Sequence, residues 1–370
     1  MPRARLATRR PPAAPGPLRD PGEDLRRIAF CLERAQEPSY RVKAFRTAAA
    51  VVDRTPRSEL IERSALGTLT ELTGIGKVTA QVVLESLEGQ EPVYLRRVAT
   101  LGDTPVTDGA AALRAALKGD CHVHSDWSDG GSPILEMAQT ARDLGHAYIV
   151  LTDHSPRLTV ARGLTAERLR EQLAVVIELN ERFAGEADDG EVRPFRILTG
   201  IECDINLDGS LDQEPELLAT LDLVVASVHS KLRMARQEMT ARMVAAVSNP
   251  HTDVLGHCTG RMVTGKGRPE SEFDAEVVFA ACAAFGVAVE VNSRPERLDP
   301  PKRLLRLALE AGCMVAIDTD AHAPGQLSWQ PLGCERAYLC GVTEDRVVNA
   351  WDATALLSWT GRHLTGRSSS

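Results

Sequence analysis

Short apolar runs, almost all of them followed by a histidine or a carboxylate, constrain the fold of this chain more than any other feature. The runs lie near residues 119–123, 147–152, 196–201, 222–228, 252–256, 286–291 and 313–318, with helical stretches between most of them. Buried strands of a parallel sheet read as continuous apolar runs. Seven alternating units predict an α/β barrel or a doubly wound sheet. In a barrel the carboxyl ends of all strands meet on one face, so polar residues far apart in sequence would meet there.

Nine side chains at or just after the predicted strand ends are candidate metal ligands. They are His122, His124, Asp129, His154, Glu202, His229, His257, Asp320 and His322. We interpret the other three histidines, His146, His251 and His363, as structural or solvated. A mixture of imidazole and carboxylate suits Zn²⁺, Mn²⁺ or Fe²⁺ better than Ca²⁺. Nine ligands exceed the needs of one ion, so two or three divalent ions are predicted, an arrangement that can activate water and stabilise a leaving oxygen.

The amino-terminal part has a different character. Residues 1–22 are rich in Pro, Arg and Ala and predict a disordered basic tail, and residues 23–89 have helical periodicity. Within them a short helix from Leu69 is followed by a tight glycine turn and a second helix. We predict that Gly74, Ile75, Gly76 and Lys77 bind a DNA phosphate through exposed backbone N–H groups, although a plain helix–helix connection has the same pattern. Residues 90–117 are predicted to be a linker with one helix near 110–117.

Charge and cysteine usage restrict the class of protein. The net charge is −8, yet residues 1–117 hold 18 Lys and Arg against 14 Asp and Glu, so the amino-terminal part is the better place for a polyanion. The eight cysteines form no C-x-x-C pair, which favours reduced thiols. No apolar run approaches the roughly 20 residues of a membrane span, and no signal peptide is evident. We therefore expect a cytoplasmic protein that does not contact a membrane.

The strand-end motifs resemble those of the polymerase-and-histidinol-phosphatase (PHP) superfamily. They are His122-Val-His124, Thr152-Asp-His154, Gly200-Ile-Glu202, Ala226-Ser-Val-His229, Leu255-Gly-His257 and Asp320-Ala-His322. Residues 221–230, 256–261 and 290–299 are similar to stretches in the carboxyl-terminal PHP domain of bacterial family X DNA polymerases. The resemblance covers about residues 118–360 and implies a distorted (βα)₇ barrel over 118–362, followed by a tail over 363–370.

The same resemblance implies how the ligands divide among three metals. One metal would take His122, His124, Glu202 and Asp320. A second would share Glu202 and add His229 and His257, and a third would take Asp129, His154 and His322. Asp320 and His322, together with Arg261, are the predicted catalytic residues. The predicted contacts to substrate phosphate are Arg162, Lys231, Arg261 and Arg294, because basic side chains near strand ends can bind phosphate oxygens.

Residues 24–89 resemble the helix-hairpin-helix domain that the same polymerases use to grip gapped DNA. The polymerase palm and fingers are absent, because only about thirty residues separate this domain from the barrel, so nucleotide addition is not expected. Val82 occupies the position of the Schiff-base lysine of eukaryotic relatives, which argues against deoxyribose-phosphate lyase activity.

Together these features predict a metal-dependent phosphoesterase that acts on DNA in repair. The expected activity is that of a 3′–5′ exonuclease, a 3′-phosphatase or an abasic-site endonuclease. DNA with gaps or ends is the expected partner, and a separate DNA polymerase is a candidate partner. Two alternatives are a small-molecule phosphomonoesterase of the histidinol-phosphatase type and a non-catalytic DNA-binding protein.

Overall fold

A computed structural model describes residues 19–188 and 193–361, so most of the predicted basic tail and the carboxyl-terminal tail with His363 lie outside the described residues. The chain divides into two compact units, with the boundary between Asp103 and Thr104. That boundary falls inside the stretch predicted as a linker.

The first unit consists of helices. In the described part of this unit these are α1 (Pro21–Arg34), α2 (Ser39–Arg54), α3 (Arg57–Leu66), α4 (Lys77–Leu87) and α5 (Val93–Val98). Apolar residues at helical spacing on α1, such as Leu25, Ile28 and Leu32, are fully buried. They share a core with Phe45 of α2 and Val82 of α4. Burying one large apolar side chain stabilises a fold by about 1.5–3 kcal/mol. This unit therefore has a hydrophobic core of its own.

Two details of this unit differ from the sequence prediction. The short helix predicted from Leu69 is a single 3₁₀ turn, Leu69–Glu71, and the longer helix before the glycine turn is α3. The predicted linker contains α5, whose Leu95 and Val98 are buried in the core of the first unit. Short helices of six residues have weak periodicity, and their packing determines whether they form.

The second unit is a parallel α/β barrel. Among the described residues it has seven strands, and each pairs in parallel with the next one in sequence. They are β1 (Gly119–Val123), β2 (Tyr148–Leu151), β3 (Arg196–Asp204), β4 (Leu223–Ser227), β5 (Val254–Leu255), β6 (Ala288–Asn292) and β7 (Val315–Asp318). The predicted seven-stranded α/β architecture is therefore confirmed.

Helices precede, separate and follow the strands of the barrel. They are α6 (Asp108–Ala116), α7 (Ile134–Asp143), α8 (Ala166–Asp188), α9 (Pro215–Leu218), α10 (Arg236–Val247), α11 (Ala275–Phe285), α12 (Lys302–Glu310), α13 (Gln330–Leu339) and α14 (Ala353–Thr360). The predicted helix near 110–117 corresponds to α6. Its Ala110 and Leu113 are buried against β7 and α13 residues such as Ile317 and Cys334.

The barrel is nearly closed between its first and last strands. A parallel bridge joins Val123 to Ala321 at the carboxyl end of this seam. At the amino end, Asn349 Nδ2 donates hydrogen bonds to Gly119 O (3.0 Å) and Ile317 O (2.8 Å). Gln330 Nε2 donates to the same two carbonyls, each at 3.0 Å. Two buried side-chain amides thus bridge β1 and β7 by donating to a backbone carbonyl of each strand.

Candidate metal centre

All nine candidate ligands lie at the carboxyl-terminal face of the barrel. His122 is on β1 and Glu202 is on β3, whereas the other seven follow β1, β2, β4, β5 or β7 directly. The backbone N–H of His124 donates to Ala321 O at 2.9 Å, which holds the loops after β1 and β7 together. Side chains separated by two hundred residues therefore converge because the topology aligns the strand ends.

The innermost group consists of His122, His124, Asp320 and Glu202. His124 Nε2 lies 3.5 Å from Asp320 Oδ1 and 3.6 Å from Glu202 Oε2. His122 Nε2 lies 3.4 Å from Glu202 Oε2 and 4.0 Å from Asp320 Oδ1. Ligands of a tetrahedral ion with bonds near 2.1 Å would be about 3.4 Å apart. The four side chains are at most 1 % exposed and match the first predicted set.

An outer group includes Asp129, His154 and His322, with His124 beside it. Asp129 Oδ1 lies 3.2 Å from His322 Nε2 and 3.5 Å from His154 Nε2. The Asp129 side chain is 39 % exposed, so this end of the cluster opens to solvent. The cluster therefore runs from a buried floor to an accessible edge, where a substrate can reach it.

Glu202 connects the groups. Its Oε1 lies 2.8 Å from His257 Nε2 and 3.2 Å from His229 Nε2, which are the other members of the second predicted set. Its Oε2 lies 2.8 Å from His154 Nδ1. His154, Glu202 and His229 also form a group whose ligand atoms all lie within 4.8 Å of one another. The geometry thus allows His154 to serve either of two positions.

Buried ligand atoms without partners show that this site fits divalent ions. His122 Nε2, His124 Nε2, His229 Nε2 and Glu202 Oε2 are buried and have no hydrogen-bond partner among the described residues. Leaving a buried polar atom unpaired costs about 1–3 kcal/mol. Imidazole lone pairs and carboxylates facing one point provide a donor set for cations of the Zn²⁺, Mn²⁺ or Fe²⁺ type, and several such ions can be held.

The electrostatics favour ionised carboxylates. Burial alone would raise the pKa of Glu202, but His229, His122 and His154 hold that pKa well below its usual range. Burial would likewise raise the pKa of Asp320, and Arg294 and His124 keep it well below normal. Burial and the neighbouring His322 and His154 push the pKa of His124 well below that of a free imidazole. Neutral imidazole and ionised carboxylate are the forms that coordinate metals.

Two residues of this site were missed by the sequence reasoning, namely Glu290 and Arg297. Glu290 Oε1 lies 2.7 Å from His122 Nδ1, so a buried carboxylate orients this ligand. Arg297 Nε lies 3.2 Å from Asp320 Oδ2. Both lie on or after β6, a strand that supplies none of the nine ligands, so the strand-end pattern gave no signal for them. Asp153, next to the ligand His154, accepts hydrogen bonds from Ser125 N and Oγ, which fixes the loop leading to Asp129.

The predicted phosphate contacts divide into three kinds. Arg294 reaches the ligands, because its NH1 donates to Asp320 O and lies near His322 Nδ1, each at 2.9 Å. Arg162 and Lys231 are exposed on the loops after β2 and β4. Arg261 is engaged elsewhere: its Nε donates to Arg297 O at 3.0 Å and its NH2 donates to Leu298 O. The geometry gives no support to Arg261 as a catalytic or phosphate-binding residue, since its donors hold the loop after β6.

The predicted DNA-binding turn forms a tight connection in the helical unit. Gly74 has φ of +101°, and a Cβ there would lie 3.0 Å from side-chain atoms of Thr47 and Val51, so glycine is required. Ile75 is buried, whereas Lys77 is exposed at the first position of α4. Gly76 N donates to Thr79 Oγ1 at 2.9 Å.

The remaining predictions concern side chains away from the metal centre. His146 is buried beside Arg114, and His251 is partly buried. All eight cysteines are free thiols, and seven of them are buried. Val82 is fully buried. Within the described residues, every helix is too short or too polar to cross a bilayer.

The barrel matches one family model and is similar to several known proteins. Residues 120–294 match the family model described as PHP domain. The chain is 38% identical over 234 residues to the DNA polymerase/3′-5′ exonuclease PolX of Bacillus subtilis, a match that covers 63% of this chain and 39% of that protein. It is 27% identical over 241 residues to a probable phosphatase of Thermoanaerobacter sp. (strain X514), covering 62% of this chain and 89% of that protein. A solved histidinol phosphate phosphatase from Lactococcus lactis aligns with a TM-score of 0.39 and 17% identity, over 66% of this chain and 94% of that chain.

Proposed function

We propose that the substrate of this chain is DNA. The premise is that the chain is a PHP-domain hydrolase of the metal-dependent phosphoesterase class. The proposed reactions are removal of 3′ nucleotides, removal of a 3′ phosphate or cleavage at abasic sites during repair. One observation carries the proposal: the same chain contains the ligand cluster and a separate helical unit. The glycine turn of that unit leads into a helix that begins at the exposed Lys77. A metabolite phosphatase has no need of such a unit.

The chain's own residues suit phosphoester hydrolysis. Divalent ions, when bound, would supply charge stabilisation and an activated water nucleophile. His122, His124, Glu202 and Asp320 would hold the buried position, and the accessible edge at Asp129 would face the phosphoester. Arg294 and Arg297 place two guanidinium groups beside Asp320, where they can bind non-bridging phosphoryl oxygens.

Exposed basic residues at the rim favour a long polyanion over a small ester. Arg162 and Lys231 lie on the loops after β2 and β4, and both adopt left-handed backbone with φ of 57° and 54°. Non-glycine residues in this region are strained by about 1–3 kcal/mol and cluster at functional sites. Phosphates flanking the cleaved bond would meet these side chains, and binding would weaken with added salt.

A small phosphomonoester is the second candidate substrate. It is favoured by the probable phosphatase, of which the match covers 89%. The chain spans 39% of the PolX relative, so the activity of that whole protein is not transferred to this one.

One experiment separates these substrates. Mn²⁺-loaded protein is incubated with end-labelled DNA and, separately, with histidinol phosphate, and the Asp320→Ala variant controls for contaminating enzymes. Stepwise shortening, loss of a 3′ phosphate or abasic-site cleavage that is absent in the variant supports the proposal. Turnover of the small ester alone refutes it.

A charge reversal tests the role of the helical unit in the intact chain. Lys77→Glu should weaken DNA hydrolysis at low substrate and spare hydrolysis of a small chromogenic ester. Arg27→Glu is the matched control, because Arg27 is an exposed basic residue on a different helix, α1. Equal loss on both substrates would contradict delivery of DNA by this unit.

A further inference from the structure

We propose that Glu290 is a positioning residue that ties two metal positions together, so that both are weakened when its carboxylate is lost. The inference rests on the metal centre of the proposed function and is independent of which phosphoester is the substrate. Glu290 lies on β6, the strand that provides none of the nine ligands, and its side chain is 0 % exposed.

The two carboxylate oxygens of Glu290 contact two different ligand residues. Oε1 accepts a hydrogen bond from His122 Nδ1 at 2.7 Å. Oε2 accepts a short hydrogen bond from the backbone N–H of His257. His122 belongs to the buried position with Asp320, whereas His257 contacts Glu202 on its Oε1 side. One carboxylate thus orients ligands of two positions.

Asn292, two residues along the same strand, extends this connection to a third ligand. Its Nδ2 lies 3.1 Å from Asp320 Oδ2 and 3.4 Å from Glu290 Oε2. Residues two apart on a strand face the same side, so Glu290 and Asn292 both point into the barrel. Together they form a buried polar layer beneath the ligands, in which each contact restricts a ligand side chain.

A carboxylate is required because both of its main partners are donors. When His122 Nδ1 carries the proton and donates it to Glu290, its Nε2 keeps a lone pair that faces Glu202 and Asp320. The His257 N–H is always a donor. A glutamine at position 290 has one acceptor oxygen, so its amide N–H₂ would face either His122 or the His257 backbone. One of the two contacts would become donor against donor.

Metal binding by the full chain tests this inference without substrate. Chelator-treated protein is titrated with Co²⁺, and the visible absorption of the ion reports its coordination and affinity. His257→Asn identifies the transition that belongs to the position near His257. Asp222→Asn is the matched control, since Asp222 accepts from Thr199 N at 2.8 Å at the opposite end of the barrel.

Glu290→Ala removes both acceptor oxygens and is expected to weaken both classes of Co²⁺ site by about 10–100-fold and to alter both spectra, the usual loss for partners that orient metal ligands. Asp222→Asn should leave both classes unchanged. Weakening of one class alone, or of neither, would overturn the proposal. If Glu290→Ala does not fold, Glu290→Asp keeps two acceptor oxygens on a shorter side chain and should weaken both classes together by a smaller factor. A change in one class only would again overturn it.

Discussion

His257 Nε2 lies 2.8 Å from Glu202 Oε1, and both side chains are at most 2 % exposed. Burial and nearby Arg297 lower the pKa of His257, so this imidazole is neutral and available to share the carboxylate with an ion. Glu202 makes one equally close contact on its other oxygen, to His154, which places it at the centre of the cluster.

Glu202 should therefore be the ligand whose loss removes the most metal. Glu202→Ala is expected to reduce bound metal by two ions per chain or to abolish binding, because both of its oxygens face histidines. Asp129→Ala should cost one ion at most, since Asp129 contacts only the outer histidines among the nine ligands in the described structure. Elemental analysis of the dialysed proteins measures both values. Equal metal content in the two variants would show that Glu202 is not shared.

Metal binding should release protons near neutral pH. Burial opposes protonation of His229, but Glu202 and Asp204 raise its pKa to about 9 in the metal-free protein. At pH 7.5 an ion must displace this proton, so affinity is expected to rise with pH up to about 9. Calorimetric titration in buffers of different ionisation enthalpy measures the protons released. His229→Asn should release fewer protons than the parent, and an unchanged number would contradict this assignment.

His146 should make the barrel sensitive to acid. Burial and Arg114 lower the pKa of His146 to about 3, so between about pH 6.5 and 3 the unfolded chain binds a proton that the folded chain does not. This contribution therefore destabilises the fold as the pH falls through that window, by about 1.4 kcal/mol per pH unit at most. His146→Gln keeps an acceptor for Arg114 and should lose less stability between pH 6 and pH 4. Urea unfolding at both pH values measures the free energy of unfolding. An equal loss of this free energy in parent and variant would contradict the prediction.

Lys231 should contribute to binding of DNA and not to the chemical step. It is exposed on the loop two residues after His229. Lys231→Ala is expected to raise KM for DNA several-fold with little change in kcat. It should also reduce the slope of log DNA affinity against log salt concentration by about one. Arg170→Ala is a surface control on α8, where Arg170 pairs with Glu214 in an exposed ion pair worth about 0–1 kcal/mol. A fall in kcat without a change in KM would place Lys231 in the chemistry instead.

Much of this architecture could be predicted because its signals are local. Each strand is a short apolar run, and for every strand except β6 a ligand such as His154 or His257 lies near the point where the run ends. Parallel pairing then brings the ligands together without further information. Element boundaries were less predictable: α5 has six residues and too little periodicity to distinguish it from a linker.

The contacts within the site depended on the tertiary structure. Arg261 and Arg294 both follow strands and carry the same group, yet Arg294 reaches Asp320 and Arg261 is held by the carbonyls of Arg297 and Leu298. Glu290 gave no signal in the sequence, because a carboxylate on a buried strand is meaningful only when its partners are known. The sequence determined the barrel and its candidate ligands, since periodicity and strand ends are properties of neighbouring residues. Only the folded barrel decided which of them share Glu202 and which side chains orient them, because those contacts join residues up to about 200 positions apart in the chain.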